Sequence, residues 1–86
     1  MFAQILKIQT LPRHRIRLTF ADGVEGVIDI SENIGRGGVF APLKKTQLFE
    51  QVRITERGRA IEWPGQVDMC ADALYLRISA ADRKAS

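Results

Sequence analysis

Cysteine occurs once in this chain, at Cys70, and histidine once, at His14. A lone thiol rules out an internal disulfide framework and fits a reducing, cytoplasmic setting. With one imidazole and one thiol, a closed metal site would have to be built almost wholly from carboxylates, so no metal and no other cofactor is expected. Tryptophan and tyrosine also occur once each, at Trp63 and Tyr75. That leaves no run of aromatic residues interleaved with basic ones, which a single-strand nucleic-acid platform uses for stacking. No apolar run exceeds four residues, far below the roughly 20 needed to span a bilayer as a helix, so no membrane segment is expected. The opening "MFAQILKIQTL" alternates instead of forming a continuous apolar stretch, which argues against a signal peptide. No repeat, low-complexity tract or linker divides the chain.

What remains is the composition of a small globular domain. At 45% hydrophobic and 27% charged residues the chain lies far from the disordered class. Eighty-six residues hold one core, and a chain this short buries only about 60% of its unfolded surface, so a partner or self-association would matter to it. The expected organisation is a single α+β domain over residues 1–79 with a frayed tail over 80–86. The net charge of +3 permits nucleic acid as a partner without arguing for it.

Strand patterning dominates the first half. "FAQILKI" reads as a first strand with Leu6 and Ile8 on one face and Lys7 and Gln9 on the other, ended by Pro12. In "RHRIRLTFADGVEGVIDI", Ile16, Leu18 and Phe20 alternate with Arg15, Arg17 and Thr19. A two-residue Asp22-Gly23 turn would set Phe20 opposite Glu25 and mix the faces. A loop of Ala21, Asp22 and Gly23 instead sets Phe20 opposite Val24, Ile16 opposite Ile28 and Arg15 opposite Asp29, so this hairpin is predicted, with Gly23 left-handed.

Helical turns are expected at Ser31 and at Phe40–Leu43, with Thr46 as N-cap for a short piece over Gln47–Glu50. "QVRIT" and "AIEW" then read as strands around "ERGR", pairing Ile54 with Ile61, Val52 with Trp63 and Arg53 with Glu62. Pro64-Gly65 ends the second of these. Helical spacing resumes after Asp68, through Leu74, Tyr75 and Ile78, with Asp68 or Cys70 as N-cap and Asp72 in the first turn. The expected architecture is thus one antiparallel sheet of about five strands, in the order β-β-β-α-β-β-α, with short helices on one face.

The candidate chemistries are thin. Asp68, Cys70 and Asp72 could meet an ion, but a fourth ligand is missing. A nucleophilic Cys70 needs a neighbouring base, and His14 belongs to a distant hairpin. "GRGGVFAPLKK" does not match the GxxxxGK[ST] phosphate loop. Basic residues are the strongest feature: Lys7, Arg13, Arg15 and Arg17 form a candidate phosphate-contacting stripe. The predicted registers nevertheless set Asp29, Glu25 and Glu62 beside Arg15, Arg17 and Arg53. Val27 is the apolar exception on an otherwise polar face, so Arg15, Arg17, Val27 and Arg53 are the candidate interaction surface.

Three segments, "LPRHRIRLTFADGVEGVIDI", "GGVFAPLKKTQLFEQVRI" and "IEWPGQVDMCADALY", together resemble the small bacterial family called domain of unknown function 2442. Its members share an LP…L.L.F.DG…..D pattern, a vF.pL.d…F..v segment and a W.ng.D…d.LY ending. The likeness covers about residues 5–76. Ala71 stands where many members open the helix with proline, and Lys45-Thr46 replaces an acidic turn pair. The resemblance implies an antiparallel sheet covered by short helices and no assigned catalytic residues. It also implies pairing with a small co-encoded protein, in an antitoxin-like manner. The expectation is therefore a non-catalytic module that binds a small protein partner, with a homodimer through a sheet edge left open. A nucleic-acid-binding accessory is the alternative.

Overall fold

A computed structural model describes residues 3–85, including the side chains of all of these but residue 56 and residues 81–85. Phe2, at the start of the predicted first strand, lies outside them. Strands β1 (Ile5–Leu11), β2 (Arg15–Phe20) and β3 (Glu25–Asp29) form one antiparallel sheet in the order β1-β2-β3. Helix α1 (Ser31–Gly35), a 3₁₀ segment over Gly38–Lys44 and helix α2 (Thr46–Phe49) lead to a second antiparallel sheet. This is built from β4 (Arg53–Ile54), β5 (Ala60–Trp63) and β6 (Val67–Cys70), in that order. Helix α3 (Ala71–Ala85) closes the fold.

The β2–β3 hairpin follows the alternation of its side chains. Arg15 faces Asp29, Ile16 faces Ile28 and Leu18 faces Gly26, while the Phe20 N–H donates to the Val24 carbonyl across the Ala21-Asp22-Gly23 loop. Gly23 is left-handed at φ 90°, as such a loop requires. In the second sheet Arg53 faces Glu62 and Ile54 faces Ile61, as expected.

Four expectations are corrected. The sheet is not one of five strands: "VDMC", read as the approach to a helix, is a sixth strand, with Ile61 opposite Met69 and Trp63 opposite Val67. Pro64-Gly65 ends β5 at Trp63, as expected, and turns the chain into a hairpin with this strand; of the two cap candidates, Asp68 is a strand residue opposite Glu62, and Cys70 immediately precedes α3. Second, Leu6 is not a core residue. Ile5 pairs with Phe20 and Lys7 with Thr19, so Leu6 is the extra residue of a bulge and is 54% exposed. The bulge shifts the parity, and the inner face of β1 is carried by Ile5 and Ile8 instead. Third, Arg13 and His14 do not extend β2. With Pro12 they make the turn from β1, both at positive φ (66° and 58°). Fourth, Thr46 is the first residue of α2, and Lys45 precedes it as the cap without a side-chain hydrogen bond. Beyond residue 79, helix α3 runs on to Ala85.

One core unites the two sheets. Ile16, Leu18, Phe20, Ile28 and Ile30 meet Leu43 and Phe49 from the helical connection and Ile61, Trp63 and Val67 from the second sheet. Ala71, Leu74 and Ile78 complete it from α3, which packs against both β3 and β6. The approach to β3 is close enough that a Cβ on Gly26 would lie 2.5 Å from the Ile78 side chain. Trp63, 3% exposed, stacks on Phe49 and donates its indole N–H to the Phe49 carbonyl at 2.9 Å. The polar group of the largest side chain is thereby satisfied inside the core.

Candidate interaction surface

The outer face of the first sheet is set by the parity of its strands. With Ile16, Leu18 and Phe20 turned inward, Arg15, Arg17 and Thr19 must point out, and their partners on β3 are Asp29, Val27 and Glu25. On β1 the residues opposite them are Leu11, Gln9 and Lys7. The face thus collects Lys7, Arg15, Arg17 and Val27 in one plane. Val27 is 45% exposed between two acidic neighbours.

Each acid on this face has a partner. Glu25 accepts the Thr19 hydroxyl at 3.1 Å. Asp29 accepts both the Ser31 hydroxyl (2.6 Å) and the Ser31 N–H (2.9 Å). These bonds, with a smaller contribution from the positive charge of Arg15, hold the Asp29 carboxyl below its ordinary value of 3.8. Arg15 in turn donates through Nε to the Pro12 carbonyl. Opposite charges side by side remove much of the long-range field that steers a protein onto phosphates.

Beside the bulge, a groove of about 580 Å³ runs along this face. Leu6, Lys7, Gln9, Arg17 and Glu25 line it, and Ile54 of the second sheet forms its far wall. Alternation alone places Leu6 on the face of Ile8. Only the bulge turns it outward, and a bulge leaves no signal in a two-residue period.

The structure does not bring Arg53 to this surface. Arg53 sits on the second sheet in an ion pair with Glu62 at 2.6 Å, in a separate groove with Gln51, Trp63 and Gln66. Arg13 occupies the β1–β2 turn at the end of the first sheet, where it and His14 border a cleft of about 340 Å³ with Thr46 and Glu50. His14 lies edge-on to Phe49, and its Nε2 is 3.1 Å from the Lys44 carbonyl. A carbonyl only accepts, so this nitrogen carries the proton.

The residues weighed for metal or thiol chemistry go to separate tasks. Asp68 faces Glu62 on the second sheet, and Cys70, exposed, faces Ala60. Asp72 turns to the other end of the chain and accepts the Ala3 N–H at 2.7 Å. Among the described residues no three His, Cys, Asp or Glu side chains are close enough together to hold a metal ion. No described helix is long and apolar enough to cross a membrane.

Comparison with known families bears out the resemblance read from the motifs. The family model described as "Protein of unknown function (DUF2442)" matches residues 5–80. The chain belongs to this family. No curated protein matches it significantly, and neither does any solved structure.

Proposed function

We propose that this protein is a non-catalytic interaction module that binds a small protein partner through the outer face of its first sheet. The observation that carries the reading is the presence of exposed apolar side chains among charges of both signs on that face. Val27 and Leu6 stand at 45% and 54% exposure, among Lys7, Arg15 and Arg17 on one side and Glu25 and Asp29 on the other. Such a mixture, apolar anchors with a polar surround, is what transient protein interfaces use. The narrower form of the proposal is an antitoxin-like pairing with a co-encoded protein, and it rests on the gene pairing that the family resemblance implies.

The test is purification of the tagged chain from its own host beside an Arg15→Glu/Arg17→Glu variant, with mass spectrometry of what stays bound. A stoichiometric small protein on the wild type, lost from a folded variant, is the expected result. Equal retention by both, or no retained protein, would overturn the proposal. Bound nucleic acid, released steeply by salt, would favour instead the phosphate-contacting stripe of Lys7, Arg13, Arg15 and Arg17.

A further inference from the structure

β3 is an edge strand, and its hydrogen-bonding parity can be worked out. The Phe20 N–H donates to the Val24 carbonyl and the Ile30 N–H to the His14 carbonyl, so residues 24 and 30 turn their backbone groups toward β2. In an antiparallel pair such positions alternate. Gly26 and Ile28 therefore also bond to β2, and Glu25, Val27 and Asp29 direct their N–H and C=O groups away from the sheet. One observation bears on this independently: the Asp29 carbonyl accepts the guanidinium of Arg77, from α3, at 3.3 Å. It can do so only by pointing outward. At the edge itself lies a groove of about 400 Å³, lined by Val27, Asp29, Ser31, Glu32 and Arg77.

Open edges invite pairing, and natural sheets guard them. Among the described residues the guard is Arg77, at the Asp29 end of the strand. Val27, in the middle of the strand, is 45% exposed. Self-pairing would be obstructed by charge. Two copies of β3 joined antiparallel about Val27 would set Glu25 of each against Asp29 of the other, and like charges directly opposite are unfavourable. The same two carboxylates, spaced evenly either side of an apolar residue, suit a strand of the opposite pattern. Both charged side chains on β3 itself, Glu25 and Asp29, are acidic, with the basic residues of the face lying on β1 and β2 behind them.

We infer that the free edge of β3 is a strand-addition site for an extended segment of a partner protein, with basic side chains two residues either side of an apolar one. This rests on the partner-binding reading above and specifies the partner's chemistry. The incoming strand bonds to the Val27 N–H and C=O, sets its apolar residue against Val27, and pairs its basic residues with Glu25 and Asp29. Arg77 must release the Asp29 carbonyl, which makes it the element that competes with the partner.

The test uses the full chain labelled with nitrogen-15 and the capped peptide Thr-Lys-Thr-Val-Thr-Lys-Thr as probe. Saturable amide shifts over Glu25–Asp29, with slowed exchange of the Val27 N–H, are expected. Replacing both peptide lysines by glutamate should weaken binding about tenfold or more, since two favourable cross-strand pairs become repulsive. A Val27→Pro variant loses an N–H that serves no bond within the sheet, so it should fold and fail to bind. Equal affinity for both peptides, no shifts at millimolar peptide, or shifts confined to the groove of Leu6, Lys7 and Arg17 would overturn the inference. So would a concentration-dependent dimer of the chain alone that protects the Val27 N–H. If a partner captured as described above is lost on Arg15→Glu/Arg17→Glu but kept on Val27→Pro, the interaction reading stands and the edge inference falls.

Discussion

Gly58 offers the sharpest test of how the two sheets are joined. It is buried in the loop between β4 and β5, at φ 68°, and a Cβ there would collide with the backbone carbonyl of Ile5 and press on the Gln4 side chain. Gly58→Ala combines two costs. A left-handed alanine is about 1–2 kcal/mol unfavourable, and overpacking against a neighbour that cannot move away adds about 1–3 kcal/mol. The smaller conformational freedom of alanine in the unfolded chain offsets about 0.4–1 kcal/mol. The net loss is about 3 kcal/mol, a large share of the roughly 4–13 kcal/mol that a domain of this size has in total.

Gly23→Ala isolates the first cost. Gly23 is also left-handed, at φ 90°, but a Cβ there meets nothing within 4 Å, so only strain applies and the loss is about 1 kcal/mol. Urea unfolding followed by the fluorescence of Trp63 would compare the two. With a slope near the lower end for small proteins, about 1 kcal/mol per molar, the midpoints should fall by about 3 M and 1 M. Equal midpoint shifts at unchanged slope would refute the close approach of the β4–β5 loop to β1. The groove shared by Leu6 and Ile54 would then lose its structural basis.

Trp63→Ala should cost about 3–5 kcal/mol, because it empties a core position and leaves the Phe49 carbonyl without its indole donor; circular dichroism in urea would measure it, since the only tryptophan is gone. The Tyr75 hydroxyl donates to Asp22 at 2.6 Å, and this bond, followed by the Val24 N–H, holds the Asp22 carboxyl below 3.8 while raising the Tyr75 phenol above 10.0. A lowered carboxyl stabilises the fold above its unfolded value and loses that contribution as pH falls through the folded one; a raised phenol stabilises below 10.0 and loses its contribution as pH rises. Tyr75→Phe should therefore flatten the alkaline arm of the stability profile and shrink the acid arm, where the Val24 bond to Asp22 and the bonds of Asp29 remain; an unchanged alkaline arm would contradict the bond. Arg53→Ala should cost no more than about 1 kcal/mol in chemical denaturation, because its ion pair with Glu62 is largely exposed. Cys70→Ser, at an exposed position, should leave both stability and partner binding unchanged by the same unfolding and capture assays.

Legibility in this sequence followed how many residues voted for the same register. The β2–β3 hairpin was readable because five alternating pairs agree on one loop length. β6 was not, because "VDMC" offers only Val67 and Met69 as inward residues, and both lie within reach of the helical spacing that follows. With Asp68 or Cys70 as the cap, the sequence pattern merges this strand with the approach to the helix. The left-handed Arg13 and His14 were equally hidden: neither residue type demands positive φ, and the turn is held from outside by His14 against Phe49 and the Lys44 carbonyl. Tertiary contacts 30 or more residues away in sequence leave no local mark.

The candidate surface was half legible for the same reason. Arg15, Arg17 and Val27 were placed on one face by alternation alone. Arg53 lies on the second sheet, paired with Glu62 in a groove separate from theirs. Leu6 enters in its place, because one extra residue in β1 reverses the face of everything N-terminal to it. The parity that hides Ile16 and Ile28 in the core also decides which backbone groups of β3 face outward. A strand whose side chains alternate cleanly must expose Val27 twice, once by its side chain on the sheet face and once by its N–H at the edge. Substitutions at the two kinds of position can therefore separate a partner that lies on the sheet from one that extends it.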